Sequence, residues 1–321
     1  MKIIIFSHEH PEYKLGGAGQ VALNLSKARE DVHLVTQKHV RKLKILYLLV
    51  IFWTNCTKSK VVLNDPISVI FMVFLDVLRN RHSLGTVVYV HGLESRLAEN
   101  SFLGFLWKRS YQIAAKKYSF AFVSDFIREE WKQRYSLSFN RSLVVHNGIN
   151  YDDDGFNESA RKDFWFSASR IVKKKGFDKM KNFLEFKAKE LGKKQTWKIA
   201  GEGDYAKCLL STEHVQIDLL GRLDNKEVKT LMAECKGFLM LSNYDEACPL
   251  GLLEALSQNT RIITYSNSGM GEIARVYGNS VTIEQNDNSY VPTNIDLIKK
   301  PYSTQDQLNL LIYDTVNNTE E

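Results

Sequence analysis

The chain has 321 residues, 44% of them hydrophobic and 25% charged, with a net charge of +6. That length suggests about two domains, and the composition is that of a soluble globular protein, excluding a disordered or collagen-like chain. The longest purely apolar run, 45–53, falls far short of the ~20 residues that cross a bilayer, and Cys56, Cys208, Cys235 and Cys248 show no paired spacing of a disulfide framework or a zinc site.

A reducing cytoplasm is the expected compartment. Charge is divided unevenly: residues 1–150 hold 21 Lys+Arg against 11 Asp+Glu, or +10, and residues 151–321 hold 22 against 26, or −4. A basic first half suits an anionic membrane surface or an anionic acceptor. No nucleic-acid motif accompanies the charge, so nucleic acid is not an expected partner.

The first half alternates short apolar strands, expected at 2–6, 32–36, 60–63, 86–91, 120–124 and 143–146, with helices expected at about 18–29, 41–52, 66–79, 102–117 and 126–135. This pattern predicts a doubly wound α/β domain whose ligands bind beyond the carboxyl ends of its parallel strands. The apolar run after Met1-Lys2 is read as the first strand rather than as a signal peptide. It leads into SHEHPEYKLGGAGQ, where Gly16, Gly17 and Gly19 open a helix and let backbone approach a diphosphate or a sugar closely. Gly17-x-Gly19-x-x-Ala22 also fits the dinucleotide fingerprint, so spacing by itself leaves an NAD site open. The long preceding loop argues against one, as does Thr36-Gln37-Lys38 where an acidic residue would close the second strand. His8 and His10 suggest no third metal ligand. The fourth strand ends in YVHGLESR, which sets His91 at a carboxyl end, facing a ligand rather than the core.

The shift from VVHNGIN to YDDDGF marks a domain boundary, giving domains at 1–149 and 150–303 and a C-terminal segment, 304–321, with a helix at 304–316. Asp152-x-Asp154 has the form of a metal motif, but in a polar linker it reads as a solvated acidic run. The second half repeats the alternation, with strands expected at 163–167, 196–200, 215–219, 237–241 and 261–264. The most informative stretch is NYDEACPLGLLEALSQNTRIITYSNSGMGE, residues 243–272. Pro249 is expected as a first-turn helix proline, with Glu246 in the loop before it and Glu254 on the second turn. Backbone N–H groups between Cys248 and Gly251, that of Leu250 included, then point out of a helix start, where the dipole favours a phosphate. Two carboxylates flanking a phosphate are suited to hydroxyls on either side of it. A Gly-containing loop is expected at 266–271, and beyond Glu272 only 304–316 is expected to be regular.

The Glu-x7-Glu spacing of Glu246 and Glu254, followed by a Glu-Ala-Leu helix and a strand, resembles the donor site of retaining glycosyltransferases of the GT-B fold, the family 4 group of glycosyl transferases group 1. SASRIVKKKGFD matches the Gly-Arg-x4-Lys-Gly motif of that family at Arg170, Lys175 and Gly176, with Ser169 in place of glycine. Gly201-Glu202-Gly203 matches its glycine turn, LLGRLDNKEV its base-flanking loop and Asn147-Gly148 its linker turn. These segments follow the family order across about 143–273. Asn259, Arg261 and Ser268-Gly269 depart from it.

The resemblance implies two Rossmann-like domains facing a central cleft, with the C-terminal helix crossing back to the first. Glu246 would hold sugar hydroxyls and Glu254 the ribose diol. Arg170 and Lys175 would stabilise the leaving diphosphate, Gly221 to Leu223 would lie near the base, and Gly201, Gly16 and Gly17 would line the donor phosphates. His91 would contact the donor sugar. The implied activity is transfer of a hexose from a nucleotide-diphosphate sugar, UDP favoured, to a glycan or lipid-linked glycan in surface polysaccharide synthesis. Neither metal nor cofactor is implied. A phosphorylase or epimerase on the same fold, or a non-catalytic nucleotide-sugar-binding protein, are the alternatives. Two unusually apolar stretches, 42–53 and 66–79, flanked by Arg41, Lys42, Lys44, Lys58 and Lys60, add an expectation of peripheral attachment to the inner membrane face.

Overall fold

Strands buried on both faces read as nearly continuous Val, Ile and Leu runs, and connecting them in parallel needs a crossover helix each time. The computed structural model describes residues 2–7, 17–36, 60–79, 85–94, 97, 101–150, 161–286 and 289–314. The chain divides into two units, Met1–Asn150 with Tyr302–Glu321, and Tyr151–Pro301.

The first unit contains β1 (Ile3–Ser7), α1 (Gly17–Lys27), β2 (Val32–Thr36), β3 (Lys60–Leu63), α2 (Pro66–Arg79), β4 (Thr86–Val90), α3 (Phe102–Lys117), β5 (Ser119–Phe122), α4 (Asp125–Tyr135) and β6 (Ser142–Val144). Its parallel sheet runs β2-β1-β3-β4-β5-β6. β1, β4 and β5 are buried along their whole length, as strands covered on both faces must be. Serines start the helices: Ser101 accepts from the Gly104 N–H of α3 and Ser124 from the Ile127 N–H of α4. Strand order reverses around β1, so a crevice opens beyond the carboxyl ends of β1 and β3.

The C-terminal segment belongs to this unit. It forms α9 (Thr304–Asn309) and then π-type turns at Leu310–Asp314, where the sequence leads one to expect a single helix. Ile149 N–H donates to Tyr302 O and Thr304 N–H to Ile149 O, each at 3.0 Å. Gln307 accepts from Gly148 N–H at 2.8 Å and donates to the Tyr89 hydroxyl at 2.7 Å. A Cβ on Gly148 would stand 2.6 Å from the Ser303 carbonyl, so glycine is what permits this approach.

The second unit contains β7 (Lys162–Ala168), α5 (Phe177–Leu191), β8 (Gln195–Ala200), β9 (Val215–Gly221), α6 (Asn225–Glu234), β10 (Cys235–Met240), α7 (Leu250–Ser257), β11 (Ile262–Tyr265), α8 (Ser268–Tyr277), β12 (Gly278–Asn286) and β13 (Ser289–Ile298). The sheet order is β13-β12-β11-β10-β7-β8-β9, parallel except for the antiparallel pair β12–β13. Both units are thus α/β, with parallel-dominated sheets.

Three expectations need correction. The stretch after Glu272 holds an edge hairpin, β12–β13, whose polar residues hide it from a search for apolar strands. Residues 268–271 are the first turn of α8 rather than loop. Pro249 is the cap residue before α7, with φ −70° and ψ 117°, not its first helical residue. The expected helix at 41–52, the apolar run 45–53, His8, His10, Gly16 and Asp152-x-Asp154 lie outside the described residues. Among the described residues no helix is long and apolar enough to cross a membrane.

Candidate functional site

In the second unit β7 lies between β10 and β8, so the crevice at the reversal of strand order opens beyond the carboxyl ends of β7 and β10. β7 feeds the segment from Ser169 to Gly176, and β10 the segment from Leu241 to Pro249. Lys173–Lys175 make one 3₁₀ turn, ended by Gly176 at φ 71°. A Cβ there would come within 1.8 Å of the Leu241 carbonyl oxygen, so glycine lets the two segments lie against each other. Asn243 N–H donates to Lys174 O at 3.0 Å and its carboxamide to Lys173 O at 3.3 Å.

That contact sets the charges. Lys175 Nζ lies 2.6 Å from Glu246 Oε1, and Ser242 Oγ donates to the same oxygen at 2.9 Å. Glu246 is only 9% exposed, and a carboxylate so placed needs a paired cation and donors. Burial first, then the nearby Glu246 charge, raises the Tyr244 pKa, so the phenol stays protonated. Ammonium groups of Lys174 and Lys175 stand 5.2 and 5.3 Å from the Tyr244 ring centroid, within cation–π range. Arg170 is exposed, and among the described residues its guanidinium has no hydrogen bond or ion pair, though its charge reaches Tyr244.

Backbone bonds tie in the glycine turn. Ser169 N–H donates to Ala200 O at 3.1 Å, Ile171 N–H to Glu202 O at 2.8 Å and Gly201 N–H to Gly221 O at 2.7 Å. Gly201 has φ 134°, and a Cβ on it would meet the Ser169 carbonyl at 1.9 Å. Gly201 and Gly221 therefore adjoin the arginine segment, with Leu223 half-buried just beyond.

At α7, the N–H groups of Leu252 and Leu253 both donate to Pro249 O. Those of Leu250 and Gly251 have no acceptor within the helix and form its positive end. Cys248 and Pro249 are buried before them. The Glu254 carboxyl, one turn on, has no ion pair or side-chain hydrogen bond among the described residues, and burial pushes its pKa up to about 7 against the pull of Lys229. The loop between is fixed from α8: Gly269 N–H donates to Glu246 O at 2.9 Å, and a Cβ on Gly269 would meet the Ala247 carbonyl at 1.8 Å.

His91 and Gly17 belong to the first unit. His91 follows β4 and its Nε2 is hydrogen-bonded to Asn64 Oδ1, while Asn64 Nδ2 donates to Ala18 O at 3.1 Å. Its ring lies 4.3 Å from that of Tyr89, edge to face. Burial holds the His91 pKa down to about 3, so the imidazole is neutral. Because Asn64 Oδ1 accepts, Nε2 carries the hydrogen and Nδ1 is left as acceptor. Gly17 opens α1, exposed, with open space around a would-be Cβ.

The second unit thus brings Lys175 and Glu246 together and ties Gly201 and Gly221 to the segment that carries Arg170, while Glu254 follows on α7. Sequence reasoning passed over Ser242, Tyr244 and Asn64. The signal was present, since Ser242 and Asn64 stand within two residues of strand ends on the ligand-bearing side. Among the described residues no group of three or more His, Cys, Asp and Glu is placed to hold a metal ion.

The fold is that of the GT-B glycosyltransferases. Residues 152–309 match the family of glycosyl transferases group 1. Among solved structures, the Anabaena protein Alr3699/HepE in complex with UDP is similar over 100% of this chain and 91% of its own, with a TM-score of 0.62 at 15% identity. Its complex with UDP-glucose covers 98% and 90%, with a TM-score of 0.59 at 15% identity. A glycosyltransferase from Rickettsia africae ESF-5 covers 89% and 85%, with a TM-score of 0.61 at 12% identity. No curated protein matches the chain in sequence.

Proposed function

We propose that this glycosyltransferase moves a hexose from a nucleotide-diphosphate sugar, a UDP-sugar by preference, to an acceptor hydroxyl, with retention at the anomeric carbon and without a metal ion. The observation that carries the reading is the Lys175–Glu246 pair beyond the carboxyl ends of β7 and β10, followed along the chain by the α7 start whose first amides have no acceptor within the helix. The cations and amides suit a diphosphate. Glu254, without a protein partner among the described residues, suits the ribose diol, and Glu246, already oriented by Lys175 and Ser242, suits hexose hydroxyls. Gly201 and the Gly221 to Leu223 stretch border the diphosphate and the base, and neutral His91 offers a hydrogen bond to the sugar. Residues 1–149 take the acceptor side, and Gly16 and Gly17 are assigned to the donor phosphates.

The reaction breaks the bond from the anomeric carbon to the diphosphate oxygen and forms one to the acceptor oxygen on the same face. The acceptor proton passes to the departing diphosphate, whose growing charge Arg170 and Lys175 neutralise. The structures of the Anabaena neighbour with UDP and UDP-glucose support the choice of donor. The acceptor proposed is a glycan or lipid-linked glycan of surface polysaccharide synthesis, met at the inner face of the cell membrane. Exposed Phe74, Val77 and Leu78 of α2 with Phe102, Phe105 and Leu106 of α3 support peripheral attachment there.

A panel of nucleotide sugars, scored by thermal shift and by donor hydrolysis with and without EDTA, tests the proposal. UDP-sugars should stabilise the protein and be turned over equally in both conditions. Dependence on inorganic phosphate or recovery of an epimerised donor would replace transfer by phosphorolysis or epimerisation. Binding without turnover would reduce the protein to a carrier of the nucleotide sugar.

A further inference from the structure

A second cavity of about 570 Å³ opens in the same unit between the carboxyl ends of β10 and β11, the start of α8 and the edge strand β12. This is within the roughly 300–1,000 Å³ range of small-molecule sites. Its floor is apolar and buried, formed by Tyr265, Met270 and Ile283. Its rim is polar and exposed, with Asp245, Asn267 and Glu284. None of these three side chains makes a hydrogen bond or ion pair among the described residues. Asn267 is the cap residue of α8, yet its carboxamide makes no capping bond, although an asparagine there ordinarily caps.

The chemistry of the lining selects a ligand. Asp245 and Glu284 disfavour an anion, and the polar rim does not suit a wholly apolar molecule. A neutral polyhydroxylated ring meets both conditions. Its C–H face packs on Tyr265 and Met270 while its hydroxyls donate to the two carboxylates and accept from Asn267 and Lys179. Ser242 lines the cavity and also donates to Glu246, which sets the cavity beside that carboxylate.

We propose that this cavity is a carbohydrate subsite that seats a neutral sugar unit next to Glu246. The binding of a sugar here does not rest on the transferase reading above. The test is calorimetric or saturation-transfer titration of methyl glycosides of glucose, galactose and N-acetylglucosamine against the wild-type protein, Asn267→Ala and Glu284→Ala, with UDP-glucose titrated separately. These side chains are exposed and unpaired, so both variants should fold. At least one glycoside should bind wild type, and each variant should weaken it on the order of tenfold, the effect of losing a hydrogen bond to an amide or a charged group. Equal binding to wild type and both variants, or no glycoside binding at all, overturns the subsite. Failure of the donor reading looks different, as no uptake of UDP-glucose by wild type whatever the glycosides do.

Discussion

An ammonium 2.6 Å from a carboxylate that is almost fully buried forms a preorganised pair, and its two members have opposite effects on a diphosphate. On the proposed reading Lys175 attracts the leaving group and Glu246 repels it. Arg170→Ala and Lys175→Ala should each lower turnover by on the order of 10², as removal of a fixed transition-state charge does. Glu246→Ala should leave UDP binding intact or tighter, because Lys175 loses its internal counter-charge, while the intact UDP-sugar binds worse. Calorimetry with both ligands decides this, and parallel losses of both would refute the division. Glu254 offers a pH test. Burial raises its pKa to about 7 from about 4.3 in an unfolded chain, so folding disfavours the ionised form. The ligand-free protein should therefore lose stability as pH rises from about 4.3 to about 7, and Glu254→Gln should flatten that slope. A ribose diol wants the ionised acceptor, so UDP affinity should climb through pH 7 in wild type. In Glu254→Gln it should be pH-independent over that window and roughly tenfold weaker or more, the worth of hydrogen bonds to a charged group. A wild-type affinity that is flat between pH 6 and pH 8 would remove Glu254 from the diol site.

Two glycines with similar backbone angles separate strain from close approach at the scale of elements. Gly176 (φ 71°) and Gly221 (φ 68°) are both left-handed, but a Cβ on Gly176 would meet the Leu241 carbonyl at 1.8 Å whereas Gly221 faces open space. Gly221→Ala should cost only about 1 kcal/mol. Gly176→Ala adds a backbone clash that must push the β7 and β10 segments apart, for a total of about 2–4 kcal/mol, and should also impair donor hydrolysis. Urea unfolding and hydrolysis of the two variants give the comparison, and equal costs would mean that the segments yield freely. The same contacts explain what the sequence could and could not reveal. β1 to β11 and most of the connecting helices announce themselves by apolar runs alternating with 3.6-residue periodicity, as in Ile3–Ser7 and Phe177–Leu191. The cation pair, the two glutamates and the start of α7 were legible because type and spacing carry their chemistry. The hairpin β12–β13 was not, since an antiparallel edge needs no continuous apolar run. Ser268-Gly269-Met270-Gly271 imitates a flexible loop, while its glycines serve close backbone approaches, since a Cβ on them would meet the Ala247 and Ser266 carbonyls at 1.8 and 1.9 Å. Nor could spacing show that Glu246 has partners and Glu254 has none among the described residues, because that follows from the packing of α6, α7 and β10.

Over the whole molecule, charge and exposed apolar surface coincide in the first half of the chain. Residues 1–150 carry +10 and residues 151–321 carry −4. In the first unit, Phe74, Val77 and Leu78 recur at helical spacing on α2, and Phe102, Phe105 and Leu106 do so on α3, a helix packed against α2. Phe102, at 75% exposed, is the most open of them, and the exposed Arg109 follows on the same helix. Core packing accounts for Val69, Met72, Val73 and Leu75 on the other side of α2 but leaves the other six exposed among the described residues. A surface of this kind suits an anionic bilayer, each nearby cation adding about 1 kcal/mol and each inserted large side chain about 1.5–3 kcal/mol. The proposed membrane attachment therefore makes a two-part prediction for liposome flotation. At low salt the protein should float with vesicles containing anionic lipid and less with neutral ones, and added salt should weaken the difference. Phe74→Ser combined with Phe102→Ser should lower partitioning on the order of a hundredfold or more. Hydrolysis of a soluble UDP-sugar should stay near wild type, because neither residue belongs to the donor crevice. Unchanged flotation of the double variant, or none of the wild type, would leave the charge asymmetry as a solvated surface and point to a soluble acceptor.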